Sequence, residues 1–182
     1  MGELFVWMAI VGALVVIGVG IWCLRNCEGK ARKYLVLDTI VFLVTLALHF
    51  GGSIVLGFLG LAWRNVPGMV LWMILVGSFL IWIVLALCCF LPQTDEIGWV
   101  NQGIVILFAV VTFLVVLWVG LIVLAFGYGG TEQVLEYQGQ TLVERMEGFL
   151  SPDYSYYKYY GPLVRGTERL WNVPSPIGRD IN

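Results

Sequence analysis

Four long apolar runs constrain this chain more than any other feature of it. They extend from Leu4 to Leu24, from Tyr34 to about Ala62, from Met69 to Leu91 and from about Gly98 to Phe126. Each contains few or no charges. Each also has the length of roughly 20 residues that a helix needs to cross a hydrocarbon core of about 30 Å. Strands of a membrane barrel need only about 10 residues and alternate in polarity, which these runs do not. The composition agrees: 12% of the residues are charged, against roughly 25% in soluble domains. The expected fold is therefore an all-α membrane protein. A four-helix transmembrane bundle would occupy residues 1–126, with helices at about 4–24, 34–62, 69–91 and 98–126. A small C-terminal tail, residues 127–182, would follow.

Short loops make consecutive helices antiparallel neighbours, as in an up-down bundle. Close packing in lipid favours small residues. Ala9, Gly12, Ala13 and Gly20 on the first helix are expected to face Gly52, Ser53, Gly57 and Gly60 on the second. Trp7, Trp63, Trp72 and Trp99 fall near helix ends and suit the interface, while Trp82 and Trp118 lie deeper and are expected to pack between helices. The first run is not read as a cleaved signal, because "MGE" lacks a positive charge and the run exceeds a usual signal core. Val6 also breaks the myristoylation pattern.

Charge placement suggests an orientation. The first loop holds Arg25, Lys30, Arg32 and Lys33 against Glu28, the second holds Arg64, and the third has no Lys or Arg. The tail's first basic residue is Arg145. Basic residues near membrane ends favour the cytoplasm, so the first loop is expected inside. Both termini and the whole tail are then extracytoplasmic, in a plasma (cell) membrane. Cys23, Cys27, Cys88 and Cys89 fall at the inner end, where thiols stay reduced, and the tail has none. Four thiols at one depth could bind zinc or carry palmitoyl groups. Adjacent cysteines close a tetrahedral site poorly, however, and the Cys23–Cys27 spacing is not that of a thiol oxidoreductase. No metal and no cofactor is expected.

Asp38, Thr45 and His49 carry the only chemistry inside the apolar runs that forms a pattern. Their spacings of seven and four place them on one helical stripe, with Ser53 close by. Ionisable residues in a membrane segment are costly and face protein or water. The stripe reads either as an ion or proton path with His49 titrating, or as an interhelical hydrogen-bond stripe. The other helices offer only Ser78 and Thr112 at comparable depth, so a path would require a homo-oligomer.

The tail begins with "VLEYQGQTLVER", which reads as a β-hairpin turning at Gln138-Gly139. That register pairs Tyr137 with Gln140, Glu136 with Thr141, Leu135 with Leu142 and Val134 with Val143. Met146, Phe149 and Leu150 are candidates to cover it. The run Tyr154, Tyr156, Tyr157, Tyr159 and Tyr160 follows, bracketed by Pro152 and Pro162, and is open to either a strand or a short helix. "LVRGTERLWN" supplies one further short helix or extended segment, and "VPSPIGRDIN" is expected to be loose. With Lys158 and Arg165, the tyrosines could form a partner-binding surface. Equally, they could form the core of a small cysteine-free module, or lie against the headgroups.

No serine–histidine–acid set can be assembled, since His49 is the only histidine, and there is no phosphate loop. A membrane enzyme would have to use Glu132, Glu136 and Arg145, and the chain is not expected to be one. The preferred reading is a non-enzymatic accessory, assembly or immunity-type subunit. Its partners would be the lipid bilayer and a membrane or extracytoplasmic protein, and the net charge of −2 gives no reason to expect nucleic acid. The alternative is a small oligomeric channel or transporter using the Asp38–Thr45–His49 stripe.

Overall fold

The computed structural model describes residues 14, 17–22, 25, 29–91, 98–147 and 153–173. Three described helices are long and apolar enough to cross a membrane: α1 (Gly29–Phe58), α2 (Asn65–Phe90) and α3 (Trp99–Gly127). Residues 17–22 are also helical, while most of the first apolar run lies outside the described residues. A five-stranded antiparallel sheet completes the chain: β1 (Leu61–Trp63), β2 (Glu132–Tyr137), β3 (Gln140–Glu147), β4 (Asp153–Tyr159) and β5 (Val164–Val173). The chain divides into a helical unit, Met1–Phe50 with Leu71–Leu121, and a sheet unit, Gly51–Val70 with Ile122–Asn182.

In the helical unit, α1 buries Leu35, Phe42 and Thr45 at helical spacing. Leu35 and Phe42 meet Leu75, Trp82, Ile83 and Cys89, residues of α2, in one apolar cluster. The Phe42 and Phe79 rings tilt together at 5.6 Å. Of α3, only Gly120 is buried. A Cβ at that position would come within 2.8 Å of Val76 Cγ1, and Trp72 Nε1 donates to the Gly120 carbonyl at 3.2 Å. The small residue that lets two helices approach here is thus Gly120. Gly57 faces open space, with nothing within 4 Å of an added Cβ, and Ser53 is exposed. Gly20 is buried and points toward Thr39, and residues 9, 12 and 13 lie outside the described set. Trp82 is buried as expected. Trp118, expected between helices, is instead 66% exposed. Many large apolar residues on these three helices are exposed, as suits a surface that faces lipid.

The second apolar run does not stay helical to Ala62. Gly60 adopts φ +69°, the left-handed conformation that ends helices and favours glycine. Its carbonyl accepts from Thr167 N–H and Thr167 Oγ1, both at 3.0 Å. Leu61–Trp63 then pairs with Gly166, Arg165 and Val164 as the edge strand β1. Two membrane-crossing helices separate β1 from the tail, so one sheet can contain both only if they emerge on the same side of the membrane.

The hairpin β2–β3 has the expected register, from Tyr137 opposite Gln140 to Val134 opposite Val143. Gln138 and Gly139 have φ +51° and +76°, the two positive values that a type I′ turn requires. The tyrosine run up to Tyr159 lies in strand β4, between β3 and β5. "LVRGTERLWN" falls almost wholly within β5. Phe149, Leu150 and "PSPIGRDIN" lie outside the described residues.

Cross-strand pairing puts Leu135, Tyr137, Leu142, Glu144, Tyr156 and Trp171 on one face. Val143, Ser155, Tyr157, Tyr159 and Arg165 occupy the other. The sheet coils strongly. Tyr137 and Trp171 belong to strands three places apart, about 14 Å in a flat sheet, yet their rings meet at 6.2 Å. Leu142, Val143 and Glu144 on β3 and Ser155, Tyr156 and Tyr157 on β4 are buried consecutively, so both faces of the central strands are covered.

Candidate functional sites

Asp38, Thr45 and His49 share the buried stripe of α1, with Thr45 buried and the other two half-buried. His49 sits in a π-helical turn, Ala47–Gly51. Such one-turn widenings recur at functional sites. The imidazole meets Phe50 edge-on at 5.0 Å and the Trp72 indole at 5.8 Å. Asp38 Oδ2 is buried and has no hydrogen-bond partner among the described residues. The two polar residues of comparable depth turn back onto their own helices: Ser78 donates to Leu75 O and Thr112 to Phe108 O. No three His, Cys, Asp or Glu side chains gather as a metal site among the described residues.

At the other end of α2, Glu132 joins the sheet to the helix start. Its Oε1 accepts from Arg64 Nε at 2.5 Å and its Oε2 accepts from Asn65 N–H at 2.7 Å. A carboxylate at a helix N-terminus also complements the dipole. Asn65 Nδ2 donates to the carbonyls of Tyr128 and Gly130 at 2.9 and 2.6 Å. Tyr128 packs on Gly68, where a Cβ would fall 2.8 Å from the ring. Burial pushes the Tyr128 phenol above its ordinary pKa, against the opposing charge of Arg145. Both Glu132 oxygens are thus occupied in holding structure. Nothing in "WRNVPG" alone signals this partner, which lies almost 70 positions away.

Within the sheet the tyrosines divide. Tyr156 is fully buried and its hydroxyl donates to the buried Glu144 at 2.6 Å. Tyr157 is buried under the Arg165 guanidinium, 3.8 Å above its ring, and donates to Glu147 at 3.1 Å. Ser155 donates to the same carboxylate. Tyr159 takes Arg64 over its ring at 5.6 Å. Tyr154 is half-buried, and Tyr160 is 55% exposed beside Lys158. Leu163, Leu170 and Trp171 are also exposed, residues with no part in the sequence-based surface.

At the far end of α2, Cys88 is free and exposed, whereas Cys89 is disulfide-bonded. The expectation of reduced thiols at this end is thereby corrected, and an orientation can no longer draw on it. Compared with known protein families, characterised proteins and solved structures, the chain matches none.

Proposed function

We propose that the protein is a non-enzymatic membrane subunit whose helices anchor it and whose sheet docks a protein partner outside the cytoplasm. The observation that carries this reading is that Tyr160, Leu163, Leu170 and Trp171 of the sheet unit are each exposed, with Trp171 42% exposed. Lys158 Nζ stands 5.4 Å from the Tyr160 ring centre, and exposed aromatics beside cations are typical of protein interfaces. Tyr156 and Tyr157, by contrast, are committed to the sheet core. The test is photocrosslinking in the native membrane from position 160 or 171. A discrete partner adduct is expected, and Trp171→Ser with Leu170→Ser should remove it while the sheet stays protease-resistant. An adduct pattern unchanged by that pair of substitutions would refute the docking surface.

The proposed orientation keeps the basic first loop in the cytoplasm. Lys and Arg act on orientation during insertion, before a disulfide can close. In intact cells, Cys88 should then react with a permeant maleimide and resist an impermeant one, with Cys88→Ser assigning the signal. Labelling by the impermeant reagent would reverse the orientation and place the sheet in the cytoplasm.

A second reading, an oligomeric proton or ion path, is favoured by the π turn at His49, which shares a stripe with Asp38 and Thr45. It requires pH-dependent flux in proteoliposomes that His49→Ala abolishes. Tight proteoliposomes would exclude it.

A further inference from the structure

A hollow of about 800 Å³ opens along the first turns of α1. Its wall includes Lys30, Arg32 and Lys33 at one end and Val36, Leu37 and Ile40 at the other. At the helical period, Lys33, Val36 and Ile40 follow one another on a single narrow stripe. That stripe lies roughly opposite Leu35, Phe42 and Thr45, the buried residues of this helix, so it turns away from α2. The three cations are exposed, and so are Leu37 and Ile40. No carboxylate among the described residues pairs with any of the three. Residues 25–33 hold four cations against the single acid Glu28, so cations are left over however Glu28 is used.

The length of α1 sets the depth of each end of the hollow in a bilayer. Its 30 residues rise about 45 Å at about 1.5 Å per residue. That is the thickness of a hydrocarbon core of about 30 Å together with both headgroup layers. The first turn, which carries the three cations, therefore falls in a headgroup layer. Val36, Leu37 and Ile40 stand one to two turns deeper, in the hydrocarbon. A phospholipid has the same order along its own length, with phosphate above and acyl chains beneath. A free phosphate ion would use the cations and leave the apolar end without a role. Phosphatidylcholine carries an ammonium that balances its phosphate and would sit among the three cations. A headgroup of net negative charge brings no such repulsion, and basic hollows at the ends of membrane helices hold anionic lipids for this reason.

We propose that this hollow holds an anionic phospholipid of the bilayer, its phosphate among Lys30, Arg32 and Lys33 and an acyl chain along Val36, Leu37 and Ile40. The site belongs to the helical unit and depends neither on the sheet surface nor on the orientation of the chain. The test uses the full chain in nonionic detergent micelles, titrated with phosphatidylglycerol or with phosphatidylcholine of the same acyl chains. Native mass spectrometry counts the lipids bound. The first phosphatidylglycerol should bind about tenfold tighter than the first phosphatidylcholine. Lys30→Gln with Arg32→Gln and Lys33→Gln should bring the two within about twofold of each other, with circular dichroism verifying the helices. Lys30→Arg with Lys33→Arg keeps the charges and should keep the preference. So should Lys158→Gln with Arg169→Gln, which removes exposed cations of the sheet unit. Equal affinity for the two lipids in the parent would overturn the proposal. A preference that survives the triple substitution, or that falls as far with the sheet pair, would also overturn it. Displacement of phosphatidylglycerol by glycerol phosphate would assign the cations to a free phosphate instead and overturn it as well.

Discussion

The helical unit and the sheet unit satisfy their polar atoms in opposite ways. In the helices, side-chain hydroxyls bond the carbonyl three or four residues back, as Thr39, Ser78 and Thr112 do. Trp72, by contrast, donates across to the Gly120 carbonyl of another helix. In the sheet unit the bonds span the chain. Arg64 reaches Glu132, Asn65 reaches Gly130, and Thr167 reaches Gly60. Lipid gives helices no hydrophobic reason to associate with one another, so backbone closeness and local bonding dominate there. The sheet is instead assembled from pieces that the helices separate in sequence. The helical unit should therefore respond to changes of shape, and the sheet unit to loss of single polar partners.

The largest effect should come from Glu132→Ala. It strips Arg64 of its ion-pair partner and the first N–H of α2 of its acceptor, and the carboxylate it removes has a side chain only 3% exposed. Breaking a buried pair from one side costs about 3–5 kcal/mol. Arg64 keeps 17% exposure, which favours the lower end of that range. Limited proteolysis should cut between residues 128 and 173 in the variant while α1–α3 remain protected. A sheet as resistant as the parent's would break the comparison.

Gly120→Val tests the helical side. The first added carbon already lies 2.8 Å from Val76, and Val76 is β-branched with little freedom to move. Overpacking of this kind costs about 1–3 kcal/mol, well above the gain in helix propensity over glycine. Thermal unfolding in detergent, followed by helical circular dichroism, should shift down. Tyr156→Phe belongs to the sheet side and should cost about 1–2 kcal/mol. It leaves the buried Glu144 without the hydroxyl 2.6 Å away, and an orphaned buried acceptor carries that penalty. The double variant with Glu144→Leu should recover part of the loss, and the unfolding midpoint of the sheet reads both.

The same contrast governs what the sequence disclosed. The apolar runs announced the helices because crossing a bilayer is a local requirement of length and polarity. The β2–β3 register was legible because Gln138-Gly139 and its flanking apolar pairs lie within a dozen residues. Strand β1 was not legible. Leu61–Trp63 continues an apolar run, and its partner Arg165 lies about a hundred positions away. The Glu132 contacts were hidden for the same reason. The tyrosine run was ambiguous because five similar side chains carry no period of their own. Only β3 and β5 on either side decide that Tyr156 and Tyr157 are interior. On α1, the spacing of Asp38, Thr45 and His49 did place them on one stripe. The π turn and the aromatic neighbours of His49 depend on packing that the spacing does not encode.

The smallest effect should separate two glycines that look alike in sequence. Gly57 and Gly120 both lie in long apolar helices, and Ser53-to-Gly57 even has the spacing associated with close helix contact. In the structure an added carbon at Gly57 meets nothing within 4 Å, whereas at Gly120 it collides with Val76. Gly57→Ala should therefore be neutral, or stabilise by up to about 1 kcal/mol, because alanine restricts the unfolded chain and favours helix. Gly120→Ala should destabilise despite the same propensity gain. The measurement is the difference between the two unfolding midpoints under one condition, so detergent effects largely cancel. A loss at Gly57 equal to that at Gly120 would mean that the α1 face bearing Ser53 and Gly57 is covered in the membrane. A second copy of the chain would then be the covering to seek, by crosslinking at position 53.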